Sequence, residues 1–245
     1  MHIAMLAFPD LTQLDLTGPF EVFARMPDAR IDIVAKSGDA VVSDRGLALL
    51  PTASFAEVPS CDLLFVPGGP GTDLAMLDET TVGFVRDRGA DAQTIVGVCS
   101  GALLLGAAGL LDGYAAATHW TAMELLPRLG AQPVEQRVVH DRNRITGGGV
   151  TAGIDVALTV VATLHGRTLA EEIQLAIEYD PQPPFDAGSP RTADPHVVAR
   201  VVAGRTELQA RRVRAVDEAA ARLGRGRRAG GGCRVLGASE LGAKS

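Results

Sequence analysis

Short apolar runs alternate along this chain with longer stretches in which apolar residues return every three or four positions. The runs His2–Phe8, Ile31–Lys36, Leu63–Pro67 and Thr94–Val98 are each bounded by Pro, Gly or Asp and read as buried strands. Shorter strands are predicted near Ala115–Thr118, Arg137–His140 and Ile145–Thr146. Helical periodicity fills the gaps at Gly18–Met26, stopped by Pro27, then at Val82–Asp91, Ser100–Leu110, Trp120–Leu129, Thr151–His165 and Thr168–Tyr179. A last amphipathic stretch, Asp194–Leu223, reads as one long helix with its arginines in solvent. Strand and helix in alternation predict an α/β fold with a mostly parallel sheet, helices on both faces, and ligands outside the carboxyl ends of the strands.

Composition narrows this picture. A chain of 245 residues, 47% hydrophobic and 21% charged, buries enough surface to need neither disulfides nor a structural metal, and is neither disordered nor fibrous. Cys61, Cys99 and Cys233 are odd in number and far apart, which speaks against a disulfide framework or a zinc cluster and for a reducing cytoplasm. No basic leader and no run of 18 apolar residues points to export or to a membrane. The net charge of −6 is uneven: 12 Lys and Arg stand against 25 Asp and Glu up to residue 199, and 11 against 4 from residue 200 on. The acidic body argues against nucleic acid as a partner, and the Arg-rich end is discounted because its arginines fall at helical spacing on an expected solvated face. Residues 224–245, rich in Gly, Arg and Ser, are expected to be a disordered tail outside a single domain of residues 1–223.

The chemistry concentrates where strand Thr94–Val98 meets the next helix. Gly97-Val98-Cys99-Ser100-Gly101 has the G-x-nucleophile-x-G pattern of a tight strand-to-helix turn, which lifts the central side chain above the sheet. Helix N–H groups beside such a sulfur are expected to lower its pKa below the free value of about 8.5; the alternative is a small buried cysteine closing a strand. Pro67-Gly68-Gly69-Pro70-Gly71 ends another strand, and a Gly69 N–H together with that of Ser100 would form an oxyanion hole. Thr146-Gly147-Gly148-Gly149-Val150-Thr151 permits the same close approach, or serves only a strained turn.

Two groups are candidate proton carriers. Asp15 precedes a Thr-Gly-Pro helix start, where a carboxylate also serves as an ordinary cap. His119, in Thr118-His119-Trp120, either pairs with the sulfur or packs behind it as a supporting group. Glu21, one turn into the first expected helix, reads as facing solvent or a dimer partner.

Taken together, LDLTGP at 14–19, PGGPG at 67–71, GVCSGALLLGAAGLLDG at 97–113, ATHW at 117–120, TGGGVTAGID at 146–155 and EYDPQPPFDAGSP at 178–190 resemble the ThiJ/PfpI superfamily, and within it the isocyanide hydratase branch. The resemblance runs over about residues 2–223. It implies a flavodoxin-like doubly wound domain, a homodimer, and hydration of an isocyanide to an N-substituted formamide with no metal or organic cofactor. It also implies a nucleophilic Cys99 with Asp15 as its acidic partner; from the turns themselves Asp15 is expected within hydrogen-bond reach of the sulfur, and Gly69, Ser100, Gly148 and Val150 are expected to hold the substrate. Ser100 departs from the Thr of that branch but keeps a hydroxyl. The proteolytic branch has His at this position, which argues against a peptidase. The expected pocket is small and hydrophobic, with Phe8, Trp120, Val150 and Phe185 as candidate walls. The alternatives are another thiol enzyme of the superfamily, a glyoxalase or amidase-like hydrolase, and a ligand-sensing module like that of AraC-type regulators. The 22 residues after Leu223 are too few for the DNA-binding part of such a regulator.

Overall fold

The structure is a computed structural model that describes residues 1–225. The strands are β1 (His2–Leu6), β2 (Arg30–Ala35), β3 (Val41–Val42), β4 (Ala48–Leu49), β5 (Ala53–Ser54), β6 (Leu63–Val66), β7 (Thr94–Val98), β8 (Ala115–Ala116), β9 (Gln132–Pro133), β10 (Val138–Asp141) and β11 (Arg144–Gly147). The helices are α1 (Gln13–Phe23), α2 (Thr72–Leu77), α3 (Glu79–Asp91), α4 (Gly101–Ala107), α5 (Ala152–His165), α6 (Arg167–Ala176), α7 (Pro195–Ala203) and α8 (Thr206–Arg222), with 3₁₀ turns at Phe55–Glu57 and Trp120–Leu129.

Seven strands form the main sheet in the order β10-β11-β7-β6-β1-β2-β5, parallel except for the antiparallel edge strand β10. The central strands are buried on both faces, which is why β6 and β7 are continuous apolar runs rather than alternating ones. The chain leaves β1 toward β2 and returns to pair β6 on its other side, so the order reverses between β1 and β6. Such a reversal opens a crevice at the carboxyl ends of the strands. Helices cover both faces: α1 packs on α5 and α5 on α6, while α2, α4 and α8 pack together on the other side. Among the described residues no helix is long and apolar enough to cross a membrane.

Several boundaries differ from the periodicity, among them the start of Glu79–Asp91 and the ends of Gly101–Ala107 and Arg167–Ala176, and the short helix Thr72–Leu77 is absent from the expected elements; three differences matter most. The first helix starts at Gln13, not Gly18, so Asp15 lies inside its first turn; Pro19 marks the interior of this helix, not its start. Trp120–Leu129 is 3₁₀ in character, with Pro127 within it. The long C-terminal helix is two, α7 and α8, broken at Gly204–Arg205. Its arginine face is not all solvated either: α8 buries Arg212, Ala215, Val216, Ala219 and Ala220. Of the expected tail, Gly224 and Arg225 are described, and 226–245, with Cys233, lie outside the described residues.

Arg212 enters the protein because Asp73, at the start of α2, is there to meet it. Arg212 Nε donates to Asp73 Oδ1 at 2.8 Å and its Nη2 to the Gly69 carbonyl at 2.9 Å, while Arg211 Nε takes Asp73 Oδ2 at 3.0 Å. Both partners of the inner pair are nearly inaccessible, with side chains 3% and 1% exposed. Removing one partner would leave an uncompensated buried charge. Asp73→Ala is therefore expected to cost about 3–5 kcal/mol by chemical denaturation, whereas Arg222→Ala, which opens the exposed pair with Glu218, should cost under about 1 kcal/mol. Equal losses would show that the buried pair is not what fixes α8.

Candidate active site

Cys99 follows the last residue of β7 and adopts φ +54°, a left-handed backbone that non-glycine residues rarely take. Its surroundings hold it there. The Cys99 N–H donates to the Gly148 and Gly147 carbonyls at 2.9 and 3.1 Å, and Thr118 Oγ1 donates to the Cys99 carbonyl at 2.6 Å. Gly101 then lets the helix run against β6: a Cβ there would sit 2.2 Å from the Val66 carbonyl oxygen. The small residues around the cysteine are thus consequences of close backbone packing.

Asp15 reaches the same point from α1 and is completely buried. Its Oδ2 accepts the Gly68 N–H at 2.9 Å. Its Oδ1 has no well-formed partner, and the Cys99 thiol bears directly on the carboxyl. Burial outweighs the Gly68 and Cys99 contacts and pushes the Asp15 pKa up to about 7. Cys99 is also raised, by burial and then by the Asp15 charge, against the lowering effect of the Ser100 N–H. The sequence-based expectation of a depressed cysteine pKa is therefore corrected: one N–H does not offset a dry site with a carboxylate beside the sulfur. The pair is one titrating unit that holds a proton at neutral pH.

The Gly68–Gly69 turn closes the other side. A Cβ on Gly68 would lie 2.5 Å from Ser100 N and 2.9 Å from Asp15 Oδ2, so only glycine fits between them. The Gly69 N–H donates to Ser100 Oγ at 3.0 Å, and Ser100 Oγ donates back to the Gly69 carbonyl at 3.1 Å and pairs with Thr72 Oγ1 at 2.9 Å. The Ser100 hydroxyl is thereby committed to the turn, and its N–H is what meets the sulfur. His119 is neutral, its pKa lowered to about 4 by burial and by Arg205 and Arg212. Nδ1 accepts the Thr121 N–H at 3.2 Å, which places the ring proton on Nε2.

A cavity of about 460 Å³ opens over the sulfur, and Gly69, Cys99, Ser100, His119 and Val150 all line it. Gly148 acts instead through its carbonyl on the Cys99 N–H and lines a separate cavity with Trp120. The expected hydrophobic pocket is corrected: of its four proposed walls only Val150 is present, Phe8 lies in another cavity and Phe185 is 78% exposed. Arginines 45, 200, 205 and 212 take their place. Residues 1–163 match the DJ-1/PfpI family. The chain belongs to that family.

Within the DJ-1/PfpI family the chain is 50% identical over 198 residues to the isonitrile hydratase of Pseudomonas putida, covering 81% of this chain and 87% of that protein. The crystal structure of a ThiJ/PfpI family protein from Pseudomonas syringae superposes with a TM-score of 0.86 at 50% identity, covering 88% of this chain and 90% of that one. The HTH-type transcriptional regulator GbdR of Pseudomonas aeruginosa is 32% identical over 148 residues, 58% of this chain but 39% of the regulator. Sequence reasoning missed Gly68, Thr72, Asp73 and the cavity arginines. The PGGPGTD run held the first three; nothing in an amphipathic helix pattern showed Arg212 turning inward.

The raised Asp15 pKa has a consequence for stability. Below about pH 4 native and unfolded chains both carry the protonated acid; between there and about 7 the unfolded chain releases a proton that the native one keeps. Wild-type stability is therefore lost across that window, by about 4 kcal/mol in all. Asp15→Asn, which can still accept the Gly68 N–H, should be more stable than wild type at pH 8 and lose that advantage by about pH 4 in thermal melts. A stability difference independent of pH would mean that Asp15 is not held protonated by burial.

Proposed function

We propose that this chain hydrates isocyanides to N-substituted formamides, with Cys99 as nucleophile and Asp15 as general acid and base. The observation that carries the reading is the 50% identity to isonitrile hydratase over most of both chains, and the buried Asp15–Cys99 pair supplies the chemistry. An isocyanide carbon accepts both a nucleophile and a proton. Sulfur adds to that carbon while the proton held by the pair goes to the same carbon, giving an S-linked thioimidate. Asp15 is then a carboxylate and takes a proton from water as its oxygen attacks the thioimidate carbon; that proton passes to nitrogen. Collapse of the adduct forms the C=O bond and breaks the C–S bond. The hydroxyl proton returns to the pair, and formamide leaves. No step calls on a metal or an organic cofactor.

The surroundings take supporting roles in this reading. The Ser100 N–H stabilises the thiolate as it forms and departs, Gly69 and Val150 wall the reacting carbon, and Gly148 fixes the Cys99 backbone. His119 offers an Nε2–H donor. The reading carries with it a homodimer, a cytoplasmic setting and a single domain over residues 1–223. The match to GbdR supports a second reading, a ligand sensor that binds at the same cleft without turnover.

The test is formation of formamide from a simple isocyanide by purified protein. Cys99→Ala should abolish it, and Asp15→Asn should lower turnover by about 10²–10⁴ without a comparable loss of binding. In wild type kcat/KM should fall as pH drops below about 7, where the pair gains its second proton and sulfur can no longer be freed by transfer to Asp15. Tight binding with no formamide would favour the sensor. Turnover retained in Cys99→Ala would refute covalent catalysis.

A further inference from the structure

The cavity over Cys99 is lined by four arginines, Arg45, Arg200, Arg205 and Arg212, against one aspartate, Asp44. This is unexpected in a chain whose net charge is −6. Two of the four are spoken for: Arg212 on Asp73 at 2.8 Å and Arg45 on Asp44 at 3.6 Å. Arg200 and Arg205 form no ion pair among the described residues. The break between α7 and α8 at Gly204–Arg205 places both beside the opening, Arg200 in the last turn of α7 and half-buried Arg205 at the start of α8. His119 feels this field, its protonated form being disfavoured by Arg205 and Arg212. A neutral isocyanide offers exposed Arg200 and half-buried Arg205 no charge-assisted hydrogen bond, whereas a carboxylate can accept from both.

Resting on the hydratase reading above, we infer that the substrate class of this site is an isocyanide that carries an anionic group, a carboxylate, which Arg200 and Arg205 receive while its isocyano carbon lies at Cys99. The anionic end stays at the mouth of the cavity, away from the buried Asp15, and the uncharged isocyano end enters the dry region. This division also keeps the substrate's charge from raising the pKa of the catalytic pair further.

The experiment compares two carboxylates with their own methyl esters: isocyanoacetate, and the longer, rigid 4-isocyanobenzoate. For at least one pair the carboxylate should exceed its ester about tenfold in kcat/KM, as expected for charge-assisted hydrogen bonds. The difference should lie in KM and shrink with added salt. In the double variant Arg200→Gln/Arg205→Gln the ratio of carboxylate to ester should collapse toward one, with the fold checked by circular dichroism. Esters that match or exceed both carboxylates in wild type, or a preference that survives in the double variant, would overturn the inference. The same four compounds titrated calorimetrically into Cys99→Ser protein separate this claim from the hydratase reading. If none of them yields formamide, the hydratase reading fails, while tighter binding of a carboxylate, lost in the double variant, still supports the anion site and its absence overturns it.

Discussion

A carboxyl group and a thiol meet in a buried space beneath an open cavity, and much of the surrounding backbone serves to keep them together. Asp15 is wholly buried and Cys99 is 6% exposed. Neither group ionises easily in such a place, because a lone charge there has little to solvate it. Burial therefore makes both groups hold their protons to a higher pH than free side chains would. The strained φ of Cys99, the carbonyls of Gly147 and Gly148 on its N–H, and the glycine at 68 that alone fits between Asp15 and Ser100 all hold the two groups together.

The arrangement extends outward through one loop. Gly69 is gripped by Ser100 through both its N–H and its carbonyl, and its carbonyl also accepts from Arg212. Arg212 is in turn locked by Asp73. A helix more than a hundred residues downstream thus holds the turn that faces the cysteine. Removing α8 would withdraw both the charge balance of Asp73 and a wall of the cavity. The site depends on both halves of the chain, although the cysteine, the carboxylate and the glycine turns all belong to the first 150 residues.

Much of this was legible in the sequence. The central strands were visible because they are buried on both faces and so read as unbroken apolar runs, and Cys99 was visible because a tight strand-to-helix turn admits few residue types. Asp15 was readable as a candidate although its helix was placed too late; Pro19 looked like a start because proline favours the first turn. The arginine-lined cavity was not readable. A period of 3.6 residues tells which side of α8 is apolar, but an arginine on the apolar side turns inward only if a carboxylate from elsewhere in the fold awaits it, and Asp73 is 139 positions away. The hydrophobic pocket was misjudged for a related reason: apolar residues near the motifs in sequence, Phe8 and Phe185, are directed elsewhere by the strands and loops that carry them.

The central claim is that burial beside Cys99 raises the Asp15 pKa to about 7, so that the carboxyl gains its proton there and not near pH 4. Difference infrared spectroscopy of wild type against Asp15→Asn reads this directly, through the carbonyl stretch of a protonated carboxylic acid. The account predicts that this band is present at pH 5, absent at pH 9 and half lost near pH 7. A spectrum with no such band at pH 5, showing Asp15 already ionised, would contradict it.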